Sequence, residues 1–259
     1  MAVAEKVDQS RGGTEEIDAP QSLLGRSLDG KYELEEVLGV GGMGIIFRAR
    51  QISVDRPVAV KILKPTRSDD VALVQRFRRE AELLAEFSHP SIVTLVDRGR
   101  DAGGLIYVVM EYVKGATLRQ MLKAETLTFG DLLQIFCHTS GALAEIHDRG
   151  IVHRDVQLDN IMLSRRADDR LQVTLLDFGV AKPFSAAQHW DLTTDADVAG
   201  TPGVMAPEVV DASPPMPESD LYSLGVLLYV ALAGERPFEP AEDLEALRAH
   251  KFRQIPPLE

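Results

Sequence analysis

Cysteine is almost missing from this chain: its 259 residues include one, Cys137. A single cysteine excludes an internal disulfide and any metal site built from several thiolates. Cys137 lies in an apolar run and is expected to be a small buried thiol. An excess of basic charge is also missing, with 28 Lys and Arg against 40 Asp and Glu, a formal net charge of −12. That balance argues against a nucleic-acid backbone as the main partner, because such binding needs clustered cations to release counterions. Long apolar runs are lacking too. The longest, LGVLLYVALAG from Leu224 to Gly234, is too short to span a bilayer, and MAVAEKVDQS has no leader-type apolar core. The expectation is a soluble, cytoplasmic segment without membrane contact. No internal repeat is visible.

What is present is a 45% hydrophobic chain, long enough for one large core or two smaller ones. Residues 1–31 mix Gly, Ser, Gln, Pro and scattered charge, and predict a flexible tail. KYELEEVLG, IIFRARQ and RPVAVKIL then alternate as strands around the turn GVGGMG. VALVQRFRREAELLAEF has helical spacing, with Val74, Phe77, Ala81 and Leu84 on one face, and IVTLVDRGR and LIYVVMEYV predict two further strands. After Gly115 the pattern turns helical: a short TLRQMLKAE, a long DLLQIFCHTSGALAEIHDRG closed by Gly150, then the short strands IML and LQVTLLDF. Residues 185–206 form a long polar loop. SDLYSLGVLLYVALAG predicts an apolar helix and EDLEALRAHKF an amphipathic one. The result is an α+β chain with a β-rich first part and a helical second part, joined near Glu111 to Gly115.

Four stretches carry chemistry. LGVGGMGII, Leu38 to Ile46, holds G-x-G-x-x-G at Gly39, Gly41 and Gly44, where backbone N–H groups can approach phosphate oxygens without a Cβ in the way. A dinucleotide fold would need a helix next, and IIFRAR is strand-like, so a glycine-rich hairpin fits better. VAVK places Lys61 on the adjacent strand. Alone it would be a solvated edge residue; it becomes a phosphate ligand if a carboxylate orients it, and Glu80 is the candidate, although Glu80 alone would be a solvated helix charge. HRDVQLDN, His153 to Asn160, and LLDFG, Leu175 to Gly179, supply hard oxygen ligands suited to Mg²⁺ in Asn160 and Asp177, and a proton acceptor in Asp155. His153 alone is most simply a packed histidine bonded to backbone.

LGVGGMG, VAVK, HPSIV, VMEYV, HRD, DFG, GTP, APE and SDLYSLG occur in this order from Tyr32 to the C-terminus. The chain therefore resembles the eukaryotic-type protein kinase family, and LGVGGMG is especially similar to bacterial Ser/Thr kinases. The resemblance implies a two-lobed kinase fold over 32–259, with an N-lobe at about 32–113 and a C-lobe at about 114–259. It implies ATP-dependent phosphorylation of Ser/Thr hydroxyls on protein substrates, with Mg²⁺ or Mn²⁺. Leu38, Gly39, Val40, Gly41, Gly42, Met43, Gly44 and Ile46 would cover the phosphates, and Lys61, paired with Glu80, would hold them. Met110 would be the gatekeeper, Glu111 to Val113 would meet adenine through backbone bonds, and Ile46, Ala59 and Met162 would sandwich the purine. Asp155 matches the catalytic base, Asn160 and Asp177 the metal ligands. Leu84, Leu95, His153 and Phe178 match the apolar spine. Arg154 would pair with a phosphorylated loop, Thr193 or Thr194 would be the phosphosite modified in trans by a second copy, and Thr201 would touch substrate.

Three departures qualify the match. Gln157 stands where such kinases carry a lysine that steadies the base and contacts the γ-phosphate. This opens an alternative, a pseudokinase that binds ATP and signals by conformation. Val204 stands where an aromatic is common. The chain also stops at Glu259, before the last C-lobe helices, so Glu208 is expected to lack its arginine partner and to destabilise this version. A membrane anchor beyond Glu259 stays open. A small-molecule kinase of the aminoglycoside type shares the catalytic loop, but GTP, APE and the threonine-bearing loop disfavour it.

Overall fold

The computed structural model describes residues 20–42, 44–64, 70–165, 170–177, 182–183, 202–210, 213–238, 249–250 and 253–258. The chain divides into two compact units: Met1–Glu86 with Thr94–Tyr112, and Phe87–Val93 with Val113–Glu259.

The first unit is a six-stranded antiparallel sheet in the order β1-β2-β3-β4-β6-β5, with one helix. Its strands are β1 (Ser27–Leu28), β2 (Tyr32–Val40), β3 (Gly44–Gln51), β4 (Arg56–Leu63), β5 (Leu95–Arg100) and β6 (Ile106–Glu111); the helix is α1 (Val71–Ala85). The period-2 alternation of β3 and β4 separates two faces. Ile45, Phe47, Val58, Val60 and Ile62 point into a core shared with Tyr107 and Val109, each at most 1% exposed. On the opposite face the register pairs Ile46 with Lys61 and Ala59 with Met110. Cross-strand partners share a face, so these four side chains lie together. Helix α1 is capped by Asp70, whose Oδ1 accepts from Leu73 N at 3.1 Å. It buries Phe77, Ala81 and Leu84 as its spacing predicts, together with Leu73 and Glu80, whereas Val74 is half-buried.

Two stretches differ from the sequence expectation. Pro20–Leu23 is a 3-10 turn and Ser27–Leu28 pairs with β2, inside what the composition predicts as tail. Leu23 and Leu28 join the core at 2% and 0% exposure. Leu23, Leu24 and Leu28 are too few to set up a periodicity, so nothing local announces which of them are buried. In IVTLVDRGR, the strand begins only at Leu95. Val93 N instead donates to Leu175 O at 3.0 Å and Leu175 N to Ser91 O at 2.9 Å, which assigns this stretch to the second unit.

The second unit is mainly helical. It contains α2 (Leu118–Lys123), α3 (Phe129–Asp148), the single turn α4 (Pro207–Val210) and α5 (Pro217–Ala233). Its short strands are β7 (Ala116–Thr117), β8 (Ile151–Val152), β9 (Ile161–Arg165), β10 (Leu171–Leu175) and β11 (Lys182–Pro183), in the orders β10-β9-β7 and β11-β8. Helix α3 begins with a capping box of Thr128 and Asp131 and ends before Gly150, whose φ of 71° suits glycine. It buries Leu132, Ile135, Phe136, Thr139, Ala142, Leu143 and Ile146. Cys137 falls on the other face and is exposed, correcting the expectation of a buried thiol. Its neighbours are apolar in sequence, but one step along a helix turns a side chain by about 100°. Most of the predicted polar loop and of the last helix, the phosphosite candidates Thr193 and Thr194, and Met43, Phe178 and Thr201 lie outside the described residues. Among the described residues no helix is long and apolar enough to cross a membrane.

Candidate active site

In the first unit, the hairpin between β2 and β3 closes with Gly41 N donating to Gly44 O at 2.9 Å. The glycines there have different causes. A Cβ on Gly44 would lie 2.6 Å from Ile62 O, so the fold itself requires glycine. A Cβ on Gly39 or Gly42 would meet nothing within 4 Å, one on Gly41 only an ordinary contact at 3.6 Å, and none of the three has positive φ. Their lack of a Cβ is not needed by the protein's own packing, and it lets an incoming anion come close to the backbone of the hairpin. Leu38 and Val40 are exposed beside them.

Lys61 and Glu80 meet below this hairpin. Nζ donates to Glu80 Oε1 at 2.8 Å and Oε2 at 3.1 Å, with side chains 7% and 1% exposed. Glu80 is thus no solvated helix charge: it faces the sheet with Phe77 and Ala81 and orients the lysine. A buried pair of this kind is costly to break from one side, because the remaining charge stays desolvated. Half-buried Ile46 and Ala59 lie on the same sheet face as Lys61. Met110 is 8% exposed, and Glu111 is tied at the strand end, its N donating to Thr94 O and its Oε1 accepting from Thr94 N, both at 3.0 Å.

In the second unit the catalytic-looking loop is held from three sides. His153 is fully buried. Its Nε2 bonds Leu176 O at 3.1 Å and its Nδ1 accepts from Asp155 N at 3.3 Å, so it is the packed, backbone-bonded histidine that the sequence predicts. Asp155 Oδ2 accepts from Asn160 Nδ2 at 2.8 Å and from Gln157 Nε2 at 3.0 Å. Asn160 Nδ2 also donates to Asp155 O at 2.9 Å. The amide nitrogen of Asn160 is thereby committed, and what it can offer a metal is its carbonyl oxygen. Burial raises the Asp155 carboxyl above the ordinary range and the nearby Asp177 carboxylate adds to this; His153 and the donors Asn160 and Gln157 oppose. Asp177 has φ 55° and Arg154 φ 70°, left-handed conformations uncommon for side-chain-bearing residues and frequent at functional loops. Among the described residues no three His, Cys, Asp or Glu side chains could enclose a metal. Asp177 and Asn160 each carry a hard oxygen of the kind that Mg²⁺ accepts alongside phosphates. Met162 and Val113 are half-buried in this unit, Met162 in β9 opposite Thr117 and Thr174.

One positioning residue escapes the sequence reasoning. Asp220, on α5 and 1% exposed, accepts from His153 N and Arg154 N, each at 2.8 Å, and bonds His147 Nε2 at 2.8 Å. Its only local signal is its place, with Glu218, among the two acids opening an apolar helix, but partners 66 and 67 positions away are invisible to local pattern. The same helix gives Glu208, expected to lack an arginine, a hydroxyl partner: Ser219 Oγ donates to it at 2.6 Å. Val204 is buried, and its carbonyl accepts from Ser223 Oγ at 2.8 Å.

Comparison with known proteins is consistent with this geometry. The family described as "Protein kinase domain" matches residues 32–257. "Serine/threonine-protein kinase pkn3" of Myxococcus xanthus is 37% identical over 236 residues, covering 90% of this chain and 43% of the relative. "Serine/threonine-protein kinase PknB" of Mycobacterium leprae is 40% identical over 215 residues, 82% of this chain and 34% of the relative. "Probable serine/threonine-protein kinase CA_C1728" of Clostridium acetobutylicum is 35% identical over 239 residues, 92% and 35% respectively. The chain thus spans less than half the length of each of these relatives.

Proposed function

Because this chain belongs to the protein kinase family, with bacterial serine/threonine-protein kinases among its relatives, we propose that it transfers the γ-phosphate of ATP to Ser/Thr hydroxyls of protein substrates. The observation that carries the reading is the state of Asp155. One carboxylate oxygen is clamped by Gln157 and Asn160, and the other, Oδ1, accepts no hydrogen bond from the described residues. That is the arrangement a general base needs: fixed, raised in pKa by burial, and open at one oxygen.

When bound, ATP with Mg²⁺ or Mn²⁺ supplies the phosphoryl group, and the metal neutralises charge on its oxygens. The glycine hairpin from Leu38 to Ile46, through backbone N–H groups such as that of Gly42, and the Lys61 ammonium, steadied by Glu80, would bind phosphate. The Asn160 carbonyl and Asp177 carboxylate would hold the metal. Ile46, Ala59 and Met162 offer apolar surface to a purine, Met110 limits the space behind it, and Glu111 and Val113 offer backbone groups. Asp155 Oδ1 would take the proton of the acceptor hydroxyl. Arg154 and a phosphate on Thr193 or Thr194, added in trans by a second copy, would regulate the enzyme, and Thr201 would touch the acceptor.

Gln157 favours a second reading. It provides the hydrogen bond to Asp155 but no positive charge, and losing such a contact typically costs about 10²–10³ in rate. On that reading the chain binds ATP and signals with little transfer.

Incubation with labelled ATP and Mg²⁺ or Mn²⁺, alone and with a generic protein substrate, tests both. We expect incorporation that Asp155→Asn abolishes, and about tenfold or more acceleration in Gln157→Lys. Nucleotide binding without transfer in the wild type would establish the second reading. Equal rates for wild type and Gln157→Lys would mean that the missing charge is supplied elsewhere.

A further inference from the structure

The second unit contains a buried titratable group that phosphoryl transfer does not use. His250, 6% exposed, sits in a small aromatic cluster with Tyr222 at a ring-centroid distance of 5.8 Å and Phe238 at 5.1 Å. Its Nδ1 bonds Tyr222 Oη at 2.9 Å, and the ring also bonds the Gly203 backbone. The pattern fixes the tautomer: the hydroxyl donates to Nδ1, and the remaining N–H donates to the Gly203 carbonyl. The next carbonyl, Val204 O, is held by Ser223 Oγ at 2.8 Å. The Arg236 guanidinium lies beside this turn, 2.8 Å from where a Cβ on Gly203 would stand, and as the end of a flexible side chain it could move aside. Two neighbouring carbonyls of the 3-10 turn Pro202–Val204 are thus tied to side chains that converge on one helix, α5.

We propose that His250 is a positioning residue for protein substrate, a latch that with Tyr222 holds Gly203 and so fixes the turn Pro202–Val204 as a surface for substrate to dock on. The inference rests on the kinase reading for its substrate but not for its geometry. The latch works only with a neutral ring, because protonated Nδ1 cannot accept from Tyr222. The groups facing the ring are Tyr222 of α5 and Arg236 just beyond that helix, with Glu208 near Tyr222. Burial holds the imidazole below its usual range, with Arg236 acting the same way and the Gly203 bond opposing. The folded-state pKa is therefore depressed. The latch is closed near neutral pH and is lost as pH falls through that lowered value.

Two measurements on wild type, His250→Gln and Tyr222→Phe test this. The first is hydrogen exchange, corrected for intrinsic rates, over the peptide containing Gly203 from neutral pH down to the lowest pH at which the protein stays folded. We expect wild-type protection to fall with acid, and both variants to show lowered protection already at neutral pH. In His250→Gln it should no longer change with pH. The second is the KM for casein against the KM for ATP, where we expect the casein KM to rise at least about threefold in His250→Gln with the ATP KM unchanged. Unchanged protection in both variants overturns the latch. Altered protection with an unaltered casein KM in an active enzyme overturns its role in substrate positioning. If no variant, nor the wild type, transfers phosphate, the kinase reading falls, and casein affinity measured by direct titration decides the positioning role in its place.

Discussion

Asp155 shows how one residue carries both a functional demand and a structural cost. Its carboxylate is clamped by Asn160 and Gln157, yet burial and the proximity of Asp177 leave the acid form favoured relative to an ordinary aspartate. The linkage sign follows. A folded pKa above the unfolded one means that the folded state holds the proton more tightly. The contribution to stability is full below the unfolded carboxylate range and is lost as pH rises through the folded value. Ionisation of Asp155 therefore opposes folding. The side chain introduced by Asp155→Asn keeps a carbonyl oxygen that can accept from Gln157 and Asn160 without the charge. The variant should unfold at a higher temperature than wild type near neutral pH, and the gap should close as pH is lowered into the ordinary carboxylate range. A midpoint difference independent of pH would show that the Asp155 charge is not the cause. Gln157 was legible as an oddity in the sequence, but its bond to Asp155 was not, because a residue type two positions away says nothing about where its amide points.

At the scale of elements, the glycine hairpin separates what the fold needs from what a ligand would need. Sequence spacing marks Gly39, Gly41 and Gly44 alike as one pattern. The structure divides them, because only Gly44 packs its Cα against another strand, with Ile62 O in the space a Cβ would fill. Gly44→Ala should lower stability by about 1–3 kcal/mol through overpacking against backbone. Gly42→Ala should leave the unfolding midpoint equal or slightly raised, since its φ is not positive and the unfolded chain loses freedom. The same variant should weaken ATP binding. Thermal unfolding and nucleotide titration of the two variants check this, and equal destabilisation by both would refute the division. The pattern of α1 was equally readable in outline, because Phe77, Ala81 and Leu84 recur at helical spacing. Helical spacing alone leaves Glu80 a solvated charge, and only the motif resemblance pairs it with Lys61, since a charged residue on a helix gains a buried position only from a partner on another element, here 19 residues earlier. Asp220 and His250 escaped for the same reason.

At the scale of the whole chain, ordered motifs made the architecture legible, because chemistry fixes residue types at fixed spacing over long distances. The margins of the fold were not legible. The segment 20–31 has the composition of a tail, yet it closes the core of the first unit through Leu23 and Leu28 and docks along β2, with Gly25 N donating to Leu34 O at 2.8 Å and Leu34 N to Arg26 O at 3.0 Å. Its polar groups are tied down as well. Arg26 bridges to Asp101 at 2.6 Å, and Asp29 accepts from the Tyr107 hydroxyl at 2.6 Å. Tyr32, at the start of β2, bonds Asp97 at 2.8 Å and has its pKa pushed up to about 12, by burial first and then by that bond. Deleting a buried leucine side chain costs about 2–5 kcal/mol, depending on how far the site can collapse. Leu28→Ala should therefore destabilise the chain by that amount, and a chain beginning at Tyr32 should lose more, because it forfeits both leucines and exposes Tyr107 and Asp101. Denaturant unfolding of the three proteins measures it. A true tail would give three coincident curves; a core segment gives the order wild type, Leu28→Ala, truncated chain, with the gap growing as more of the buried surface is removed.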